Sequence, residues 1–155
     1  MLKSTHFGYS EFACHTGVPY PVDWIDERLQ PLCTTLDAIR ERWGAPIVVV
    51  CGYRTPEYNE QLRAHSDGVA ANSQHPQGRA ADVGPVPRTP ENVRRLAAVV
   101  HSMILANELP LLGGYGRYPG WVHIDVRPRP ADGHIARWDG KGFGSEPVDA
   151  GPQVA

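Results

Sequence analysis

The chain has no long hydrophobic run; no apolar stretch approaches the roughly 18 residues that a membrane helix requires. It has no surplus of positive charge either, because 15 Lys and Arg stand against 17 Asp and Glu, a formal net charge of -2. A protein that grips nucleic acid without reading its sequence must displace counterions with cationic side chains, so that class is excluded. Neither a membrane nor a nucleic acid is expected as a partner. Cysteine is scarce: Cys14, Cys33 and Cys51 are odd in number and lack C-x-x-C spacing. This argues against a disulfide framework and against a thiolate zinc site. Cys33 and Cys51 are expected as small buried apolar residues. No segment recurs at a solenoid period. The opening stretch, Met1 to Phe7, carries no apolar core of a signal peptide.

What remains is an ordinary globular mix, 41% hydrophobic and 21% charged, in 155 residues, enough for one domain. Sixteen glycines and fifteen prolines point to a loop-rich mixed fold. Ile25, Leu29, Leu32, Leu36, Ile39 and Trp43 recur at spacings of four and three, so they share one helical face. Asp23 suits the N-cap, Gly44 and Pro46 the stop, and Pro31 predicts a kink or a short first helix ending near Gln30. Ile47-Val48-Val49-Val50 is β-branched and bounded by breakers, which reads as a buried strand. Between Pro56 and Gly84 the polar composition predicts a largely loop segment, and long loops within compact domains usually carry function.

Thr89 caps a second helix with Pro90 in its first turn, and Val93, Leu96, Ala97, Val100 and Ile104 form its buried stripe. Gly113-Gly114-Tyr115-Gly116 reads as a turn-rich connector. The next stretch alternates: Val122, Ile124 and Val126 point one way, Trp121, His123 and Asp125 the other. This order predicts an α+β fold, a small and mostly antiparallel sheet with helices packed on one face. Residues 1–142 are expected to form the domain and 143–155 a flexible tail.

Two polar clusters are not explained by a core pattern. In Ser73-Gln74-His75-Pro76-Gln77-Gly78-Arg79-Ala80-Ala81-Asp82, Pro76 and Gly78 argue against a helix, leaving His75 in a loop that runs into a short strand. On that strand Ala80 and Asp82 share a face. The second cluster is His123-x-Asp125. Zinc accepts His nitrogen and Asp oxygen, and catalytic sites keep three protein ligands with an open water position. His6, His15, His65, His101 and His134 read as surface or capping residues.

Cys51-Gly52-Tyr53-Arg54-Thr55-Pro56, Asn59, the string Ser73-x-His75-x-x-Gly78-x-Ala80-x-Asp82, His123-x-Asp125-x-Arg127 and Arg137-Trp138 follow one another in order. With the opening Phe7-x-Tyr9-Ser10-Glu11-Phe12, the series resembles the zinc D-alanyl-D-alanine carboxypeptidase family, which includes murein endopeptidases and phage-type wall hydrolases. The resemblance runs from about His6 to Trp138. It implies Zn²⁺ held by His75, Asp82 and His123, and Arg54 meeting the substrate's carboxylate or polarised carbonyl, a role suited to a rigid donor fork. Ser73 is expected beside the substrate, a peptidoglycan peptide. Tyr53 and Trp138 are expected to pack rather than to act, and Cys51 replaces a more usual serine.

One departure bears on mechanism. Several relatives carry the general base three residues before the last histidine ligand, where this chain has Gly120, and Leu109 to Val122 hold no carboxylate. Asp125 is the nearest substitute, since residue i+2 of a strand faces the same way as His123. The alternative role is to orient a ligand imidazole.

Three function classes follow. The first is a zinc-dependent hydrolase of peptidoglycan stem or crosslink peptides containing D-amino acids, either a carboxypeptidase or an endopeptidase. The second is a non-catalytic zinc domain of the same fold that recognises the wall. The third is a non-haem iron oxygenase, for which the only later histidine is His134, nine residues beyond Asp125. The protein is expected to be made in the cytoplasm and to act on the cell wall or periplasm after release or delivery. Phage-type lysis, a contractile injection apparatus and a removed leader are the open routes.

Overall fold

The computed structural model describes residues 1–66, 69 and 72–143. The chain is α+β. Three helices, α1 (Gln30–Trp43), α2 (Pro56–His65) and α3 (Pro90–Leu105), accompany five strands: β1 (Ile47–Cys51), β2 (Ala80–Pro85), β3 (Gly114–Arg117), β4 (Val122–Asp125) and β5 (Ala136–Asp139). The strands form one sheet in the order β1-β2-β4-β3-β5, antiparallel except for the parallel β3–β5 pair. Among the described residues no helix is long and apolar enough to cross a membrane.

Helices α1 and α3 pack against each other and onto β2 and β4. Leu32, Leu36 and Ile39 of α1 and Val93, Leu96, Ala97 and Val100 of α3 meet Ala81, Val83, Val122 and Ile124 from the sheet in one core. This is the arrangement the two helical stripes and the strand alternation predict. Thr89 caps α3 by accepting from the Asn92 N–H, as expected.

Four local expectations are corrected. Pro31 does not end the first helix; it sits in the first turn of α1, where a missing N–H costs least, after a 3₁₀ turn (Val22–Trp24) and a π turn (Ile25–Leu29). Asp23 therefore lies inside that irregular entry instead of capping. The polar stretch expected as loop contains α2, which buries only Asn59 and so lacks an apolar stripe to announce it. Most of Gly113-Gly114-Tyr115-Gly116, expected as a connector, belongs to the inner strand β3 (Gly114–Arg117), because glycine there serves close packing rather than a turn.

The face of the sheet away from the helices carries the candidate site residues on its strands. Strand register lines up Cys51, Asp82, His123, Gly116 and Trp138 as one transverse row across all five strands. A parallel row two residues along holds Ala80, Asp125, Gly114 and Ala136. The expected tail, 143–155, lies outside the described residues from 144 onward; its first residue, Phe143, stacks its ring 4.4 Å from the Arg117 guanidinium.

Candidate metal centre

Asp82 stands between two imidazoles. Its Oδ2 is 3.3 Å from His75 Nε2 and its Oδ1 is 3.1 Å from His123 Nδ1. His123 comes from the neighbouring strand, directly opposite Asp82 in the ladder. His75 arrives from the loop before β2, whose tight turn is closed by Gln77 and Gly78 N–H groups on the Gln74 and His75 carbonyls. Gly78 takes a left-handed φ of 69°, and a Cβ there would press on Tyr20 and Trp24, so the turn needs glycine. Ser73 Oγ accepts from the His75 N–H at 3.2 Å. All three expected ligands are thus brought together, and all are buried.

The far nitrogen of each ring is tied to a group that can only accept. His75 Nδ1–H donates to the Gly52 carbonyl at 2.7 Å, and His123 Nε2–H donates to Asp125 Oδ2 at 2.8 Å. In neutral rings this leaves both lone pairs beside Asp82, which is repulsive unless a cation or protons lie between them. Tetrahedral bonds of about 2.0–2.1 Å place neighbouring ligand atoms about 3.3 Å apart, close to both observed separations. Each of these two separations suits ligands of one metal ion, while the group among the described residues whose ligand atoms all lie within 4.8 Å of one another is Cys51, His75 and Asp82, without His123. In the metal-free protein burial lowers the His75 pKa, but the Asp82 carboxylate outweighs it and raises it to about 10. Burial likewise pushes Asp82 up, and the two imidazoles overcome it and hold the carboxyl well below its usual range.

Asp125 is fully buried behind His123. Arg127 forks onto it, Nε to Oδ1 at 2.9 Å and Nη2 to Oδ2 at 2.6 Å, and the Arg127 N–H adds a third bond at 3.1 Å. Burial opposes ionisation of this carboxyl, yet His123 and Arg127 bring its pKa down to about 2. Gly114 is the strand neighbour that leaves room for it, since a Cβ there would run into the carboxylate.

A cavity of about 1060 Å³ opens over Asp82, His75 and His123. Arg54 forms part of its wall, with Nη1 3.3 Å from Asn59 Oδ1 and Nη2 3.6 Å from Asp82 Oδ2. Ser73 lines the cavity too. So does one residue read differently from sequence. Trp138, expected to pack only, stands with its ring 5.0 Å from that of His123 and donates to Tyr118 Oη at 2.8 Å. His65, exposed as expected, also lines the cavity. Strand alternation marked Trp121, but no periodic signal marks Tyr118 or Trp138, which the β3–β5 pairing brings in. His134, which an iron facial triad would need, is exposed and paired with Asp132.

Cys51 is buried, as expected, but stands apart from the cluster of core side chains that the helices and sheet share. Its sulfur, one His75 nitrogen and one Asp82 oxygen all lie within 4.8 Å of one another.

Comparison with known families matches residues 5–125 to the family described as Peptidase M15, and the chain belongs to that family. This is the metallopeptidase family that the motifs resemble. Among curated proteins, the chain is similar to the peptidoglycan L,D-endopeptidase MepK of Escherichia coli (strain K12), 35% identical over 85 residues, which are 54% of this chain and 41% of that protein. It is also similar to the probable peptidoglycan L,D-endopeptidase MepK of Haemophilus influenzae, 36% identical over 88 residues, 55% of this chain and 41% of that protein. The matched stretch thus spans about two fifths of those relatives.

Proposed function

We propose that this domain is a zinc-dependent peptidase of bacterial peptidoglycan, cleaving peptide bonds that involve D-amino acids within crosslinks. The observation that carries the reading is the Asp82 carboxylate between two imidazoles whose lone pairs face it, at the floor of a wide cavity. His75, Asp82 and His123 are the metal ligands. Zinc bound there supplies Lewis-acid polarisation of the scissile carbonyl and a water of lowered pKa.

The chain's own residues do the rest. Arg54, braced by Asn59, presents its guanidinium to a substrate carboxylate or carbonyl oxygen. Asp125 fixes the tautomer and angle of His123 through Nε2; with its oxygens engaged by Arg127 and His123, it serves as an orienting group. Tyr118, Trp121 and Trp138 form an aromatic wall that holds substrate and limits water.

Two features favour cleavage inside a crosslink over removal of a terminal residue. The similar curated proteins are named endopeptidases. A second hollow of about 550 Å³ adjoins the cavity and shares Asn72, Ser73, Gln74 and Arg127 with it, giving room for a substrate that continues past the scissile bond. Delivery to the wall, whether by phage-type lysis, a contractile injection apparatus or a removed leader, belongs to the same proposal.

A second reading, a zinc-containing wall-recognition domain without turnover, is favoured by one observation. Asp82 is the only carboxylate among the described residues lining the cavity, and the space beside Gly120 is open. Digestion of purified peptidoglycan by metal-loaded protein, with products read by mass, separates the two. Release of monomeric muropeptides from crosslinked ones, abolished by chelation, is the expected result; binding without any new product supports the recognition domain.

A further inference from the structure

Resting on the reading of a metal centre, we propose that Cys51 is a fourth protein donor of that centre, its sulfur joining His75, Asp82 and His123 in the resting protein. The backbone is built to present it. Along β1 and β2, Val49 pairs with Val83, yet the next pair is Cys51 with Asp82, so Val50 is an extra residue. Strict alternation would put Cys51 on the same face as Val49, which packs against the core. The bulge turns it onto the face of Asp82 instead, the way bulges re-aim side chains beside active sites.

Cys51 thereby takes the place on one side of Asp82 that His123 holds on the other. His75 leans over the row from the loop, and the sulfur lies within 4.8 Å of the facing atoms of both His75 and Asp82. Arg54 Nε is 3.3 Å from the sulfur, a cationic donor suited to a thiolate. Metal binding moves the thiol proton to solvent and leaves the thiolate as ligand. A sulfur among nitrogen and oxygen donors shifts the site's preference toward softer ions such as zinc. Four protein donors also fill a tetrahedral shell, so the position used by water opens only when the sulfur leaves or the shell expands.

X-ray absorption of the zinc-loaded full chain decides the matter. The proposal expects a sulfur scatterer at about 2.3 Å beside the nitrogen and oxygen shell at about 2.0–2.1 Å, lost in Cys51→Ser and kept in Cys14→Ser, whose side chain belongs to the core. The cobalt-substituted protein should show a sulfur-to-metal charge-transfer band with the same dependence. If Cys51→Ser does not fold, the wild-type and Cys14→Ser spectra still decide. Zinc bound with nitrogen and oxygen donors only would overturn this proposal and leave the metal reading standing. Failure of the wild type to bind zinc would overturn both.

Discussion

Asp125 and Arg54 illustrate how environment, more than residue type, assigns a role. Asp125 is a carboxylate two residues from His123, the proposed ligand, so from sequence it serves equally as base or as orienting group. The structure buries it and ties it to Arg127 and His123. Asp125→Asn should therefore weaken metal affinity by about 10–100-fold, with the single-turnover rate restored at saturating zinc. A loss of about 10²–10⁴ in rate with zinc still bound would instead make it the base. The same burial has a signature in acid. A carboxyl lowered to about 2 stabilises the folded state above its unfolded pKa of about 3.9, and that stabilisation is lost as pH falls toward 2. Urea unfolding of the metal-free protein should show this loss between about pH 4 and 2, and Asp125→Asn should lack that share of it. Arg54 contacts Asn59, Cys51 and Asp82 at the cavity wall. Arg54→Lys should impair turnover because an ammonium lacks the planar fork, while bound zinc measured by mass spectrometry stays unchanged.

At the scale of elements, sheet register gathers the site. The helical stripes of α1 and α3 and the alternation in β4 were legible because burial imposes a period on sequence. β3 and α2 were not. β3 places Gly114 and Gly116 where neighbouring strands lay Asp125 and Trp138 over the backbone, so its glycines imitate a turn signal. α2 has almost no buried face, so no stripe betrays it. The β1 bulge was equally silent, because one extra residue leaves the apolar run intact while reversing the direction of Cys51. Gly114→Ala should cost about 1–3 kcal/mol in urea unfolding, since the methyl group meets the Asp125 carboxylate in a packed interior. Gly120→Ala, with open space beside it, should stay within about 0.5 kcal/mol.

In the whole molecule, two helices cover one face of a five-stranded sheet and leave the other to chemistry. The motif order made the family readable, and it singled out His75, Asp82 and His123, three side chains that the sheet and the loop before β2 bring side by side. The cavity's aromatic wall was not readable, since Tyr118 and Trp138 meet only through the parallel β3–β5 pairing. The central claim is that this face holds one metal ion through His75, Asp82 and His123. Metal stoichiometry of the purified His75→Ala protein, measured beside wild type and His101→Ala after zinc loading and gel filtration, tests it most directly. The account predicts one zinc per chain in wild type and in His101→Ala, whose ring lies on α3 away from the row, and a sharp loss in His75→Ala. Full zinc occupancy in His75→Ala would contradict it.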